Sequence, residues 1–169
     1  MQEEYTNSNT VELDNHTESI IETYDMKIPK IRFWTQPGAP VPSVSTAGSG
    51  GLDLFVDNFH IEDNQLKIHT GVYIELPKGH VGLLLPRSST GLKGLRLKNT
   101  VGVIDSDYRG EILIMADRFD GEDDLIDIGK KIAQLIIVPV CPFPVEQVGN
   151  FEDLSVTCRN TGGFGSTGE

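Results

Sequence analysis

The feature that most constrains the fold is a succession of short apolar runs, each broken after a few residues by glycine, proline or an acidic turn. No stretch keeps apolar residues at the 3.6-residue period over three turns, so long amphipathic helices are not predicted. Many short strands with Gly- and Pro-rich turns are typical of an antiparallel sandwich, jelly roll or barrel. The predicted strands are Ile31–Trp34, Gly51–Val56, Leu66–Leu76, His80–Pro86, Leu95–Ile104, Glu111–Phe119, Leu125–Ile128 and Ile132–Val140.

Two pairs of neighbouring runs have the spacing of β-hairpins. Tyr73–Leu76 is followed, after a Pro-Lys-Gly turn, by His80–Leu85. Asn99–Asp105 is followed, after a tight turn, by Gly110–Met115. One short helical turn is predicted at Ser88–Lys93, where small polar residues interrupt the strands.

The charge distribution separates the first 26 residues from the rest of the chain. The net charge is −11, and residues 1–26 contain seven carboxylates with no Lys or Arg. High net charge with few aromatic residues predicts a disordered tail. We therefore expect an ordered domain over residues 27–158, followed by a Gly-rich segment at 159–169. A chain this acidic is poorly suited to duplex DNA or an anionic membrane, so neither is predicted as a partner.

The cysteines and histidines predict neither disulfide bonds nor a zinc site. Cys141 and Cys158 are the only two thiols, and we interpret them as reduced packing residues of a cytosolic protein. The four histidines are scattered, without metal-ligand spacing. No apolar run approaches the ~20 residues of a membrane helix, and no secretory signal is visible, so a cytoplasmic location is expected.

Two segments carry more chemistry than a turn or a linker requires. Gly102–Gly110 joins carboxylates and a tyrosine to a tight turn that has glycines at both ends. Arg159–Gly168 combines glycines with Arg, Phe, Ser and Thr, and such a backbone can present N–H groups to phosphate. No Lys precedes the Ser-Thr pair, so the segment is not a Walker A loop. The alternatives without a function are a solvent-exposed turn for Gly102–Gly110 and a flexible tail for Arg159–Gly168.

Together with three further segments, these two resemble the five motifs of the trimeric dUTPase family, in the same order. The resemblance spans roughly residues 28–168, and the third and fifth motifs are nearly diagnostic. The five segments are Ala47–Leu54, Pro86–Gly94, Gly102–Gly110, Gly129–Leu135 and Arg159–Gly168.

The resemblance implies an all-β, antiparallel jelly-roll barrel that assembles as a homotrimer with a swapped C-terminal arm and three shared active sites. It implies hydrolysis of dUTP to dUMP and pyrophosphate, which limits uracil incorporation into DNA and supplies dUMP for thymidylate synthesis. Mg²⁺ is the implied cofactor, chelated by the three phosphates. Asp53 is then either an outer-shell metal residue or a structural one.

The resemblance also assigns roles in the third motif. Asp105 orients and deprotonates the water that attacks the α-phosphorus. Tyr108 packs against the deoxyribose and excludes the 2′-hydroxyl of UTP. Backbone groups of the hairpin read the uracil edge, since fixed donors and acceptors match uracil and leave cytosine mispaired. The residues implied for this reading are Asn99, Gly102, Val103, Ile104 and Leu113.

The phosphates are implied to bind the second, fourth and fifth motifs. Arg87, Ser88 and Ser89 supply a cation, a hydroxyl and amide groups, and Gln134 adds a neutral donor. Lys130 and Lys131 are interpreted as solvated surface. In the fifth motif Phe164 stacks over the uracil, and the segment closes as a lid over a neighbour's site. Arg159, Ser166 and Thr167 hold the γ-phosphate, and Gly165 is a further substrate-binding residue.

The sequence departs from the common pattern at a few positions. Pro86 and Ser89 replace a more usual glycine, and Gly50 replaces an alanine. Asn160 stands where the fifth motif usually has glycine, and Asn tolerates positive φ better than most residues.

Two alternative functions share some of these features. A dCTP deaminase shares the fold but carries a catalytic Glu on the strand after the third motif, where this chain has Ile112–Ala116 without a carboxylate. A dUTP-binding regulator with weak catalysis is the second alternative, for which residues 1–26 would be the natural contact.

Overall fold

The computed structural model describes residues 29–62, 65–92, 94–118, 126–141 and 143–162. The predicted tail at 1–26 lies outside the described residues. So do Lys93, the acidic loop residues 119–125, and Phe164, Gly165, Ser166 and Thr167 of the fifth motif.

Nearly all regular structure in the described ranges is β-strand, which confirms the predicted all-β class. A single-turn helix, α1 (Ser88–Leu92), falls where the helical turn was predicted, and a 3₁₀ turn covers Phe151–Asp153. The strands are β1 (Arg32–Thr35), β2 (Ser43–Val44), β3 (Leu52–Phe55), β4 (Asn58–Glu62), β5 (Gln65–Glu75), β6 (His80–Pro86), β7 (Leu95–Leu97), β8 (Gly102–Ile104), β9 (Glu111–Arg118) and β10 (Lys131–Pro139).

These strands form two five-stranded sheets in which every pairing is antiparallel. The first sheet has the order β1-β5-β9-β7, with β4 also paired to β5. The second has the order β2-β3-β10-β6-β8. Strand β10 is therefore flanked by β3 and β6, and β8 lies at an edge.

One apolar core joins the two sheets. Side chains alternate along β5, so that Leu66, Ile68, Val72 and Ile74 are buried. The facing residues of the other sheet include Leu54, Leu84 and Leu135, and all belong to the same cluster. Alternation of this kind buries one face of each sheet, and each fully buried Leu or Ile stabilises the fold by about 1.5–3 kcal/mol.

Two strand predictions were wrong. The run predicted as one strand over 95–104 is two strands, β7 and β8, which belong to different sheets. Thr100 breaks it with a φ of 59°, in a turn where its N–H donates to the carbonyl of Leu97 at 3.0 Å. The run at 125–128 is not a strand over its described part: Ile126 packs into the core and Asp127–Gly129 turns into β10.

Both hairpin predictions were wrong for a common reason. β5 and β6 are consecutive, but each pairs within its own sheet, and the same holds for β8 and β9. Each turn carries the chain from one sheet to the other. A tight turn with alternating flanks looks the same in sequence whether its strands pair or separate, because register is a non-local property.

The sequence did not indicate β2 or β4. β2 is only two residues long, and β4 is an outer strand whose Phe59 and Ile61 are exposed. Cys141 and Cys158 are free thiols, but both are exposed, so their interpretation as packing residues was wrong. No helix in the described ranges is long and apolar enough to cross a membrane.

Candidate active site

The neighbouring strands β3, β10 and β6 gather residues of the first, fourth and second motifs. Asp53 on β3 pairs in register with Gln134 on β10, and Gln134 pairs on its other side with Leu85 of β6. Arg87 follows directly after β6. Segments that are more than thirty residues apart in sequence therefore meet on one side of the second sheet.

Asp53 is the buried centre of this group. Its Oδ1 lies 2.9 Å from Nε of Arg87, and its Oδ2 lies 2.8 Å from Nζ of Lys131. The Ser45 hydroxyl donates to the same Oδ2 at 2.6 Å, and Lys131 also donates to the Ser45 oxygen at 2.7 Å. The side chain of Asp53 is only 7% exposed. One carboxylate thus fixes two cations that come from two different motifs.

The electrostatics of Asp53 follow from this geometry. Burial acts to raise the pKa of Asp53, but hydrogen bonds from Lys131 and Ser45 and the charge of Arg87 outweigh it and hold the pKa below its usual value. The folded protein therefore stabilises the ionised form of this carboxylate. With both oxygens committed to cations and a hydroxyl, Asp53 serves to hold Arg87 and Lys131.

Gln134 and Gly51 fit against each other beside this cluster. The Gln134 amide nitrogen donates to the carbonyl of Pro86 at 3.1 Å, which fixes the chain just before Arg87. A Cβ on Gly51 would lie 2.6 Å from Oε1 of Gln134, closer than real contacts allow. Glycine at position 51 is thus required for the glutamine side chain to lie where it does.

Helix α1 places the serines of the second motif. Thr90 is buried, and its hydroxyl donates to the carbonyl of Ile132 on β10 at 2.8 Å. Its N–H donates to the carbonyl of Arg87 at 2.9 Å. Anchoring at Thr90 leaves Ser88 exposed and Ser89 half-buried beside Arg87. The group therefore presents a cation and hydroxyls of the kind that bind phosphate.

A second feature is a cleft of about 200 Å³ at the turn after β8. β8 is an edge strand, so one side of its backbone is not paired with another strand in the described part of the chain. Such an edge can offer N–H and C=O groups to a planar ligand. The cleft is lined by Val103, Ile104, Asp105, Tyr108, Glu111 and Leu113.

Within the cleft, Asp105 and Tyr108 are fixed differently. The N–H of Tyr108 donates to the carbonyl of Asp105 at 3.1 Å, which closes the turn and leaves the Asp105 side chain exposed. The Tyr108 hydroxyl donates to the carbonyl of Glu111 at 2.9 Å. A Cβ on Gly110 would lie 2.3 Å from that hydroxyl oxygen, so glycine is needed for the ring to fold back over the turn.

Within one chain, the Arg87 group and the cleft lie far apart. Ile104 pairs with Gly82 of β6, and Arg87 follows five residues later, just after the end of that strand. At ~3.3 Å per residue this is a separation of roughly 17 Å along the chain. Arg87 also bonds to Asp53 on β3, whereas β8 lies on the opposite side of β6. The structure does not bring Asp105 and Arg87 of the same chain together.

The remaining predicted residues lie in a turn, in β8 or near the C-terminal end. Asn99 is exposed, and its carbonyl accepts from Val101. Gly102 is buried in β8, where a Cβ would lie 3.1 Å from that of Leu84. Arg159 is exposed and its Nε donates to the carbonyl of Gly162 at 2.9 Å. Asn160 has a φ of 46°, the conformation expected from its place in the motif.

Some site residues were missed or misjudged from sequence. Lys131 is not solvated surface but a partner of Asp53, while Lys130 is a half-exposed residue that pairs with Asp127. Ser45 and Glu111 were not singled out, because a serine before the first motif and a glutamate after the third carry no local signal. No group of three or more His, Cys, Asp or Glu in the described ranges has the arrangement of a metal site.

The chain is similar in sequence to a known protein family and to several curated proteins. The family described as dUTPase matches residues 38–168 of the chain. A deoxyuridine 5'-triphosphate nucleotidohydrolase of Hydrogenobaculum sp. is 41% identical over 134 residues, which cover 77% of this chain and 91% of that protein. One of Anaplasma marginale is 38% identical over 152 residues, which cover 85% and 99%.

Two solved structures that are similar to this chain are phage proteins. The Staphylococcus bacteriophage 80alpha dUTPase, solved with dUPNHPP, is similar with a TM-score of 0.71 and 29% identity, over 84% of this chain and 100% of that chain. A mutant dUTPase from phage phi11 of S. aureus, with a structural Mg(II) ion, gives 0.62 and 26%, over 73% and 99%.

Proposed function

Because the chain belongs to the dUTPase family, we propose that it hydrolyses dUTP to dUMP and pyrophosphate, with water attacking the α-phosphorus in line with the leaving group. The single observation that carries this proposal is the cleft in which Asp105 and Tyr108 lie beside the free edge of β8. In this cleft the carboxylate can hold a water, the aromatic ring can pack against a deoxyribose, and the backbone edge of β8 can hydrogen-bond to a uracil.

Each group in the cleft has a definite task. Asp105 is exposed at the turn, where it can accept the proton of a water and hold it toward phosphorus. Phosphoryl chemistry gains most of its acceleration from such positioning and from charge stabilisation. Tyr108, held by the carbonyl of Glu111, occupies the space beside the sugar. Backbone groups of β8 near Gly102 and Val103 read the uracil edge, with Leu113 on the facing wall.

The phosphates bind at the Arg87 group. Arg87 has one nitrogen on Asp53 and keeps further N–H donors for phosphate oxygens. Gln134 and the hydroxyls of Ser88 and Ser89 lie beside it. This arrangement explains how a chain with a net charge of −11 can bind a triphosphate, because the local cations are already fixed.

Mg²⁺ is the cofactor we propose, brought in by the substrate. No described cluster forms a protein cage for a metal, and Asp53 has committed both oxygens to other partners. Mg²⁺ is commonly held by substrate phosphates and water with one or two carboxylates at most, which fits this donor set. When bound, it would neutralise charge on the leaving pyrophosphate. An outer-shell contact from Asp53 stays a prediction.

We propose that the working form is a homotrimer with jelly-roll subunits and shared sites. Within one chain, Ile104, at the start of the Asp105 turn, pairs with Gly82, which is five residues or roughly 17 Å along the chain from Arg87. A water held by Asp105 must nevertheless come within about 3–3.5 Å of the α-phosphorus of the substrate whose phosphates Arg87 binds. A cleft from one chain and an Arg87 group from another would satisfy both requirements. Residues 159–169 would then close over a neighbour's site.

The segment after β10 supports an arm that leaves its own subunit. Residues 143–162 are largely exposed, and several of their apolar side chains lie mostly open to solvent. Several exposed apolar residues within one segment are typical of a contact surface. They include Phe143 at 79%, Val145 at 97% and Val156 at 89% exposure. A cytoplasmic location stays a proposal, consistent with two free, exposed thiols.

The test is pyrophosphate release from dUTP, dCTP, dTTP and UTP in parallel, with Mg²⁺ and with EDTA. Release from dUTP alone, lost in EDTA, is the expected result. Ammonia release from dCTP would instead establish a deaminase, and dUTP binding without turnover would establish a regulator. Neither alternative is favoured by the family and its relatives.

A mixing experiment tests the shared sites. Arg87→Ala and Asp105→Asn should each be inactive, since each lacks one half of every site. Refolding an equal mixture should restore roughly a quarter of the sites in a symmetric trimer, because a site then can draw both intact halves from different chains. No recovery in mixed trimers would mean that each chain supplies both halves itself.

A further inference from the structure

The fold departs from a regular ladder directly opposite the start of β9. Pairing runs in register from Leu66↔Ala116 to His69↔Leu113 and resumes at Tyr73↔Glu111. Three residues of β5 therefore face a single residue of β9. Gly71 lies in this bulge with a φ of 66°, and a Cβ there would lie 2.4 Å from that of Ala39. A bulge of this kind leaves backbone groups without their ladder partners.

Side chains replace the lost ladder bonds. The N–H of Gly71 donates to Oε1 of Glu111 at 2.9 Å, and Oε2 of Glu111 lies 2.9 Å from Nδ1 of His69. The Thr70 hydroxyl donates to the carbonyl of Ile112 at 2.7 Å. The Glu111 side chain is 13% exposed, so these bonds are largely shielded from water. Glu111 is thus tied to β5 at both carboxylate oxygens.

The backbone of this residue also carries the Tyr108 contact. The carbonyl of Glu111 accepts the Tyr108 hydroxyl at 2.9 Å. Tyr108 is 41% exposed, on the turn that carries the chain from β8 in one sheet to β9 in the other. The position of the ring thus follows the position of the Glu111 carbonyl. Glu111 is held to β5 both by its backbone pair with Tyr73 and by its carboxylate bonds across the bulge.

We propose that Glu111 is a positioning residue for sugar selectivity, acting through Tyr108. The inference rests on the proposed function, in which Tyr108 lies against the deoxyribose. Loss of the carboxylate frees the start of β9, lets the Tyr108 ring move and opens space for a 2′-hydroxyl. The expected consequence is weaker discrimination between dUTP and UTP, while the attack itself, which uses Asp105, is affected less.

The test compares kcat/KM for dUTP and UTP in Glu111→Ala, Glu111→Gln and Asp117→Ala. A pocket that rejects an added hydroxyl by shape alone discriminates on the order of 100-fold in kcat/KM. In Glu111→Ala the ratio of kcat/KM for dUTP over UTP should fall about tenfold, mainly because kcat/KM for UTP rises. Glu111→Gln keeps an oxygen that can accept from the Gly71 N–H, so its discrimination between dUTP and UTP should stay close to that of the wild type. Asp117→Ala is the matched control, since Asp117 lies on the same strand and pairs with Lys98, away from the cleft.

A second measurement separates positioning from general destabilisation. In a Tyr108→Phe background the hydroxyl contact is already absent, so Glu111→Ala should change the dUTP/UTP ratio little further; effects of coupled residues do not add. Equal discrimination in wild type and Glu111→Ala, or full additivity with Tyr108→Phe, would overturn the proposal. If Glu111→Ala does not fold, Glu111→Asp, which draws the carboxylate back from Gly71, takes its place in both arms. Absence of dUTP turnover in the wild type would instead overturn the proposed function.

Discussion

Replacing Asp53 by Asn tests how Arg87 and Lys131 are held. Asn has nearly the same size, so the packing of β3 against β10 is retained. The change removes the negative charge that faces Nε of Arg87 at 2.9 Å and Nζ of Lys131 at 2.8 Å. Ser45 keeps an acceptor at this position, so the two ion pairs are the main loss.

The magnitude follows from burial. Removing one partner of a buried ion pair typically costs 3–5 kcal/mol, because the other charge is left unpaired, roughly in proportion to its burial. Arg87 and Lys131 remain 29% and 32% exposed, so water can solvate part of each cation. We therefore expect the free energy of unfolding to fall by about 2–3 kcal/mol. Arg87 also loses its orientation, and kcat/KM for dUTP should fall by at least about tenfold, which corresponds to 1.4 kcal/mol.

Denaturant unfolding and pyrophosphate release measure the two effects. Both are run at one fixed protein concentration, because the stability of an oligomer depends on concentration. The control is Asp117→Asn, which breaks the more exposed pair with Lys98 and should cost ~1 kcal/mol or less. A free energy of unfolding for Asp53→Asn within about 0.5 kcal/mol of wild type would refute the reasoning. So would unchanged turnover.

The pH dependence gives an independent check. The pKa of Asp53 is lowered in the folded protein. Between that lowered pKa and the ordinary Asp pKa, the folded state therefore binds fewer protons than the unfolded state. The stabilisation is complete above the ordinary Asp pKa of about 3.9 and is lost as pH falls through the lowered value. Unfolding free energies of wild type and Asp53→Asn should therefore converge on acidification. A constant difference down to strongly acidic pH would contradict the assignment.

Two further predictions concern turnover. Asp105→Asn should bind dUTP but lower kcat by several orders of magnitude, while Asp107→Asn, an exposed carboxylate in the same turn, should stay near wild type; a near-normal rate for Asp105→Asn would remove Asp105 from its role. Truncation after Cys158 should abolish most dUTP turnover and leave a folded trimer, measured by sedimentation and pyrophosphate release. Normal turnover by the truncated chain would show that residues 159–169 are not a lid.

Local sequence patterns were sufficient for the fold class and for most strands. Alternation along Leu66–Leu76 predicted β5 closely, and His80–Pro86 matches β6 at both ends. Strand propensity and turn chemistry act over a few residues, so they can be recognised without knowing what a strand pairs with. Asp105 and Tyr108 could be recognised by their resemblance to a family motif, since both belong to a single short segment.

The sequence failed where pairing is decided. Both hairpins and the single strand over 95–104 were wrong, because each break sends the chain to the other sheet. β2 has only two residues, which is too short for a recognisable pattern. β4 exposes its apolar residues Phe59 and Ile61, so it lacks a clearly buried face. Strand propensity depends on neighbours across the sheet, and neighbours are fixed only by the whole fold.

By itself, the sequence determined an all-β chain, the turns that carry the chemistry and the groups in them. Only the tertiary structure decided what those groups touch: that Asp53 holds Arg87 and Lys131, and that Glu111 ties the contact of Tyr108 to a bulge in β5. The physical reason is range. A turn is set by the φ and ψ preferences of a few adjacent residues, whereas an ion pair or a bulge contact depends on the register of strands that are distant in sequence.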